Sequence, residues 1–304
     1  MTDPGLPSVS AIIATRGRPT LGRAIEGVLG QRYDGQVTCI VVFDGVDPID
    51  LSDMPTGERR SLVAVSNSRT PGLAGARNTG AGDATTELLA FCDDDDVWWP
   101  EKLRAQVEVM RRDGSNISVT GVRIVADERE TDRIPPPVVT QGLLLRSRVT
   151  EVHPSSVVVD AAAFRDVIGP IDEAIPGSYG EDYEWLLRAA GTHPIAGVPQ
   201  PLVTVHWGAS LFADRWPTII DAIAYLTLKH PDLLDDDANA ARLLGRLAFA
   251  HAALRHRREA SRWAWRSIRR RAREPRPYLA LAVASGCVRA STIQRRANRA
   301  GRGV

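Results

Sequence analysis

Short runs of β-branched and other apolar residues alternate with segments of helical period through the first half of the chain, and this alternation leaves few architectures open. Strand, helix and strand in repeated succession bury their apolar surfaces in a mainly parallel sheet flanked by helices on both faces. Val9 to Ile13 is the first predicted strand, followed by a turn at Gly17 to Pro19. Thr20 then stands at a capping position before a helix whose Leu21, Ala24, Ile25, Val28 and Leu29 share one face. Val37 to Phe43 is a second predicted strand, continuous enough in its apolar residues to be buried on both faces. Leu62 to Val65, Glu87 to Cys92, Ile117 to Val125 and Val157 to Val159 are the further expected strands. Helices are expected within the Gly-rich stretch Gly72 to Gly82, from about Glu101 to Arg112 behind Pro100, and near Ala161 to Val167. One more runs from Glu181 or Asp182 to Ala190, after the turn at Gly177 to Gly180. Ala126 to Gln141, charged and carrying Pro135 to Pro137, is expected to be a loop.

A chain of 304 residues with 43% apolar content can fill the core of one large α/β domain and carry an appendage. From about Trp216 the sequence is helical and increasingly rich in Arg and Ala, so residues 1–215 are expected to form the α/β domain and 216–304 an Arg-rich helical extension. Residues 255–304 hold fifteen Arg against Glu259 and Glu274; the whole chain is +1, so this tail is +13 and the remainder −12. Cys39, Cys92 and Cys287 are odd in number and widely spaced, which argues against a disulfide framework or a zinc site and for a reduced, cytoplasmic setting. The first residues do not pattern as a signal peptide, and the apolar run Tyr278 to Val288 is far short of the roughly 20 residues of a spanning helix.

In open parallel sheets ligands bind outside the carboxyl ends of the strands. Asp44 and the run Asp93 to Asp96 both fall at such ends. Four adjacent carboxylates repel one another unless a cation neutralises them, and Mg²⁺ or Mn²⁺ is the hard, oxygen-seeking kind that also binds diphosphate. A solvated acidic loop is the alternative, against which stands the position of the run between an apolar strand and Trp98, Trp99 and Pro100. Asp44 is either a binding acid or part of an Asp-Gly turn. Gly72 to Asn78 either brings the backbone close to a ligand, with Arg77 offering its fork of donors, or packs a Gly-rich helix tightly on the sheet. Glu181 and Asp182 at a helix N-terminus, where the dipole favours carboxylate, are either caps or a proton acceptor. His153 and His206 flank apolar strands and are either structural or contacts to metal or substrate.

Taken in order, these segments resemble the inverting family 2 glycosyltransferases of GT-A fold over about residues 8–207. VSAIIATRGRPTLGRAIEGVLGQRY is similar to that family's first strand, nucleotide loop and first helix, and VVFDG to its second strand with the nucleotide-binding acid. GLAGARNTG, FCDDDDVWWPEKL and GEDYEWLLRAA resemble its Arg-Asn segment, its DxD motif with the following helix, and its late acidic motif. The resemblance implies a Rossmann-like, mixed but mainly parallel sheet with flanking helices. It implies donor contacts at Ala14, Thr15, Arg16, Asp44, Arg77, Asp93, Asp94, Asp95 and Arg188, and metal contacts at Asp95, Asp96 and His206. Arg16 stands where the family often has an aromatic, and a guanidinium can also stack on a base. Asp182 takes the place of the general base, supported by Glu181.

The implied reaction is an in-line displacement at the anomeric carbon of a nucleoside-diphosphate sugar of UDP, GDP or dTDP type. The acceptor is a glycan, a glycolipid or a small metabolite, contacted by the loops around His153 to Ser156, Ala126 to Gln141 and Ser178 to Tyr179. A sugar nucleotidyltransferase would need a Gly-rich phosphate loop directly after the first strand, where Ala14 to Thr20 has only Gly17. A non-catalytic binding protein is the other alternative. The basic tail, with Trp263 and Trp265 among its arginines, is expected either to touch an anionic membrane peripherally, at the inner face, or to pack as a solvated helix; nucleic acid is not the expected partner.

Overall fold

The computed structural model describes residues 5–54, 56–126, 129–146, 152–206 and 215–299. Its centre is a 10-stranded sheet in which β1 (Val9–Thr15), β2 (Val37–Phe43), β3 (Arg60–Ser66) and β4 (Leu88–Asp93) lie in the order β3-β2-β1-β4 and run parallel. The sheet continues through β9 (Val158–Asp160), which is antiparallel to β4 and to β6 (Ile117–Ala126), and then to β10 (Ile195–His206), parallel to β6. The two-residue β5 (Val97–Trp98) closes the edge. It is thus a mixed, mainly parallel sheet, as expected. Every residue of β1 is buried, because helices cover both faces.

The two faces have separate cores. On one, α1 (Leu21–Leu29) and α3 (Lys102–Asp113) bring Leu21, Ile25, Val28, Leu103 and Val107 against Ile13, Val41 and Cys92. On the other, α2 (Leu73–Asp83) and α5 (Glu181–Thr192) bring Ala74, Ala81, Trp185 and Leu186 against Ile12, Val42 and Phe91. Alternate residues of β1 and β2 therefore serve different cores, as the period of a strand requires.

The segment expected to be a loop after β6 contains more order than its composition suggests. β7 (Arg129–Arg133) pairs antiparallel with β6, with Arg123 donating to Asp132 at 2.7 and 3.0 Å, and β8 (Val138–Val139) pairs with β10. The short helix α4 (Gln141–Arg146) follows. The helix expected near Ala161 is a π-helical turn over Ala163–Ile168. Residues 216–299 are built on helices: α6 (Trp216–Lys229), α7 (Asp237–Ala253), α8 (Arg257–Arg270), α9 (Arg276–Ala284) and α10 (Ala290–Arg299). Among the described residues no helix is long and apolar enough to cross a membrane.

α6 and α7 are tied closely to the sheet domain. Ala222, Leu226, Leu233 and Leu243 belong to the same core as Trp185 and Leu187. Beside them Glu184 of α5, fully buried, accepts from Arg188 at 2.9 Å and lies 2.9 Å from Lys229 Nζ and 3.0 Å from His230 Nε2. Burial alone would raise the Glu184 pKa, but the bonds from Arg188, Lys229 and His230 outweigh it and hold the carboxyl below its usual range.

Candidate active site

Register decides which residues meet. Thr15 is the neighbour of Phe43, and Ala14 that of Asp93, so β1, β2 and β4 end together and deliver Thr15, Asp44 and Asp93 to one edge. His206, at the end of β10, lies beside Val125 at the same edge. The acids are placed where the parallel topology puts ligands.

The first loop grips the acidic run. Thr15 donates its hydroxyl to Asp94 Oδ2 at 2.6 Å while accepting from the Gly17 amide at 3.0 Å. Arg18 reaches Asp95 Oδ2 at 2.5 Å and Asp94 Oδ1 at 3.3 Å. Burial raises the Asp94 pKa, opposed by Thr15 and Arg18 and reinforced by the neighbouring Asp95 and Asp93. Arg16 is exposed at the rim. Asp44 turns to the next loop: it accepts from Asn67 Nδ2 at 2.8 Å and from the Gly72 amide at 3.0 Å. Gly72 has φ 123°, a conformation that glycine adopts readily and other residues rarely. α2 begins there, and on it Arg77.

Arg77 joins the two halves of the site. It is 3% exposed, donating from Nη2 to Asp93 Oδ1 at 2.6 Å and from Nη1 to Glu181 Oε1 at 2.5 Å. Burial by itself would lower the Arg77 pKa, but Asp93, Glu181 and Asp182 together raise it. Burial likewise pushes Glu181 up to about 7, with Arg77 opposing and Asp182 adding to the rise. Asp182, half-buried, lines a small cavity with Arg77, Phe91, Pro154 and Trp185.

Asp96 lies deepest of the four, at 2% exposure. Ser155 donates its hydroxyl to Asp96 at 2.5 Å and accepts from the Asp93 amide at 2.9 Å; His153 Nδ1 stands 3.3 Å from Asp96. Burial, then Asp93, drive the Asp96 pKa well above its ordinary value against the Ser155 bond. Asp93, Asp96 and His153 present donor atoms all within 4.8 Å of one another. Among the described residues no Lys or Arg pairs with Asp96, so a buried acid beside oxygen and imidazole donors has the charge and chemistry that fit Mg²⁺ or Mn²⁺.

The structure thus gathers Ala14, Thr15, Asp44, Arg77, Asp93 to Asp96, Glu181 and Asp182 around one edge of the sheet. His206 is near, its Nδ1 2.9 Å from the Asp95 carbonyl oxygen, but the compact donor cluster contains His153 in its place. Arg188 is committed elsewhere, holding Glu184 and the carbonyls of Ile168 and Pro170. Arg18, the contacts of Ser155 with Asp93 and Asp96, and the bridging position of Arg77 escaped sequence reasoning, which placed Ser155 only in a loop expected to touch the acceptor. The only local sign for Ser155 is the turn formed by His153, Pro154 and Ser156, which carries no mark of its distant partner.

Residues 10–165 match the model of the family described as "Glycosyl transferase family 2". The chain belongs to that family. It is 31% identical over 160 residues to the succinoglycan biosynthesis protein ExoO of Rhizobium meliloti (strain 1021), covering 47% of this chain and 44% of that protein. It is also 26% identical over 169 residues to the Escherichia coli UDP-Glc:alpha-D-GlcNAc-diphosphoundecaprenol beta-1,3-glucosyltransferase WfgD, covering 55% and 63%. The matched regions therefore span less than two thirds of each of these relatives. Among solved structures, S. aureus TarS 1-349 in complex with UDP-GlcNAc is similar at a TM-score of 0.57 and 14% identity, over 97% of this chain and 92% of that one. The mannosyltransferase PcManGT from Pyrobaculum calidifontis, in complex with GDP-Man and Mn2+, is similar at 0.52 and 14%, over 95% and 79%. These likenesses establish the GT-A fold.

Proposed function

We propose that the chain is a metal-dependent inverting glycosyltransferase that moves a sugar from a nucleoside-diphosphate donor to an acceptor hydroxyl, with Asp182 as general base. The observation that carries this is the Arg77 bridge, which holds Asp93, at the end of β4, and Glu181, beside Asp182, on one guanidinium. Donor acids and base thereby share one rigid site despite their separation in sequence.

Asp44 and the loop Ala14 to Arg16 are assigned to the nucleoside, whose ribose hydroxyls suit a carboxylate and whose base suits a guanidinium face. The carboxylates of Asp93, Asp95 and Asp96, with His153 or His206, are assigned to the cation. Mg²⁺ or Mn²⁺ held there supplies positive charge that stabilises the departing diphosphate. Arg18, on Asp95, is placed to exchange its carboxylate for a donor phosphate. Asp182 takes the proton of the acceptor hydroxyl as it attacks the anomeric carbon. Arg77 keeps Asp182's neighbour Glu181 oriented, and the apolar walls at Phe91 and Trp185 limit water there. The names of the relatives favour a UDP-sugar donor and a lipid-linked acceptor.

Calorimetric titration of UDP, GDP and dTDP with and without Mn²⁺, repeated on Asp95→Ala and Asp93→Ala, tests the donor assignment. Metal-dependent binding of one nucleotide, lost in both variants, is the expected result; binding that ignores the metal would overturn it. Asp182→Asn is expected to bind that nucleotide unchanged while transfer falls about 10²- to 10⁴-fold. A variant with full transfer would remove Asp182 as the base.

A further inference from the structure

Helix α8 turns two unlike faces to its surroundings. Ala260, Ala264 and Ser267 are buried, and Trp263 packs inward against the cluster of Ala248, Phe249 and Ala280, with the Arg266 guanidinium 4.8 Å from its ring centre. On the opposite side Arg258, Arg262, Trp265 and Arg269 are all exposed, Trp265 at 59%. At 100° per residue these four fall within a sector of roughly 60°. Among the described residues Arg258 and Arg269 make no ion pair, and Arg262 has only Glu259 at 3.7 Å. The two tryptophans, two positions apart in sequence, therefore have different tasks: Trp263 anchors the helix and Trp265 is presented to solvent.

We propose that this face of α8 docks the protein on an anionic lipid bilayer, Trp265 entering the headgroup layer and Arg258, Arg262 and Arg269 pairing with lipid phosphates. An indole flanked by guanidiniums suits an interface that is apolar on one side and negatively charged on the other. A single ring on a convex helix lacks the groove and the row of stacking platforms that single-stranded nucleic acid needs. The charge distribution sets the orientation: residues 255–304 are +13 and the rest −12, so an anionic surface attracts the tail and repels the body. The proposal stands apart from the assignment of the catalytic residues.

The test is flotation of the full chain with phosphatidylcholine vesicles, with and without phosphatidylglycerol. Binding is expected only to the anionic vesicles and should weaken as salt is added. Each of Arg258→Ala, Arg262→Ala and Arg269→Ala should reduce partitioning about fivefold, and the triple variant about a hundredfold. Trp265→Ser should weaken binding further, with thermal unfolding and nucleotide binding unchanged in all five variants. Equal binding of the triple variant, or equal binding to neutral vesicles, would overturn the proposal. So would binding of polyuridylate that is lost in the triple variant while anionic vesicles are not bound at all.

Discussion

Arg77 is neutralised on both sides, by Asp93 and Glu181, and is 3% exposed. Replacing it with Met leaves two acids without their cation, Glu181 buried and Asp93 partly exposed, and breaking the buried pair with Glu181 costs about 3 kcal/mol. Urea denaturation of Arg77→Met should show that loss, and Arg77→Lys should recover little, because a single ammonium cannot fork between two carboxylates. Lys102 tests the same physics with the opposite sign. It is fully buried, 3.9 Å above the Trp98 ring and 2.7 Å from Gln106 Oε1, and burial pushes its ammonium down to about 7 from 10.5. Between those values the unfolded chain binds the proton and the folded chain does not, so stability attributable to Lys102 rises with pH from about 7 towards 10. Lys102→Met should flatten that rise in unfolding free energies measured across the window; an unchanged slope would mean that Lys102 stays charged when folded.

Among the elements, α2 shows how a glycine helix serves the site. A Cβ on Gly75 would stand 1.9 Å from the Thr70 carbonyl oxygen, and one on Gly80 would stand 2.5 Å from Ile12 Cγ2. The Gly-rich helix thus packs tightly, one of the two readings of this segment, and it carries Arg77, whose guanidinium is held by Asp93 and Glu181. Gly75→Ala must shift the first turn of α2 and with it Arg77. A loss of about 1–3 kcal/mol in urea denaturation is expected, as for other overpacked contacts. The strands β1, β2 and β4 were legible because they are mostly apolar, whereas the pairing of β7 with β6 was not. β7 reads Arg-Glu-Thr-Asp-Arg, almost wholly exposed, and owes its strand form to pairing with β6 and to the Arg123–Asp132 contact rather than to any pattern of its own.

For the molecule as a whole, the sheet domain and the helices after it share a core. Ala222, Leu226, Leu233 and Leu243 pack with Trp185 and Leu187, and Lys229 and His230 are two of the three side chains that hold buried Glu184. A chain ended at residue 215 exposes that apolar surface and leaves Glu184 to Arg188 alone. It should be recovered mainly as aggregate in size-exclusion chromatography, and a soluble, monomeric product would show that the helices are a separable appendage.

The sequence alone determined the alternating strands and helices, the placement of Asp44 and Asp93 to Asp96 at strand ends, and the family's motifs. These are local: they depend on period, on continuous apolar runs and on residues adjacent in the chain. Tertiary structure alone decided that His153 joins Asp93 and Asp96, that Arg77 binds Glu181, that Arg188 serves Glu184, and which tryptophan of α8 faces outward. Each of these depends on strand order or on which helix face finds a neighbour. Charge and distance across a fold act between groups that sequence separation does not bring together.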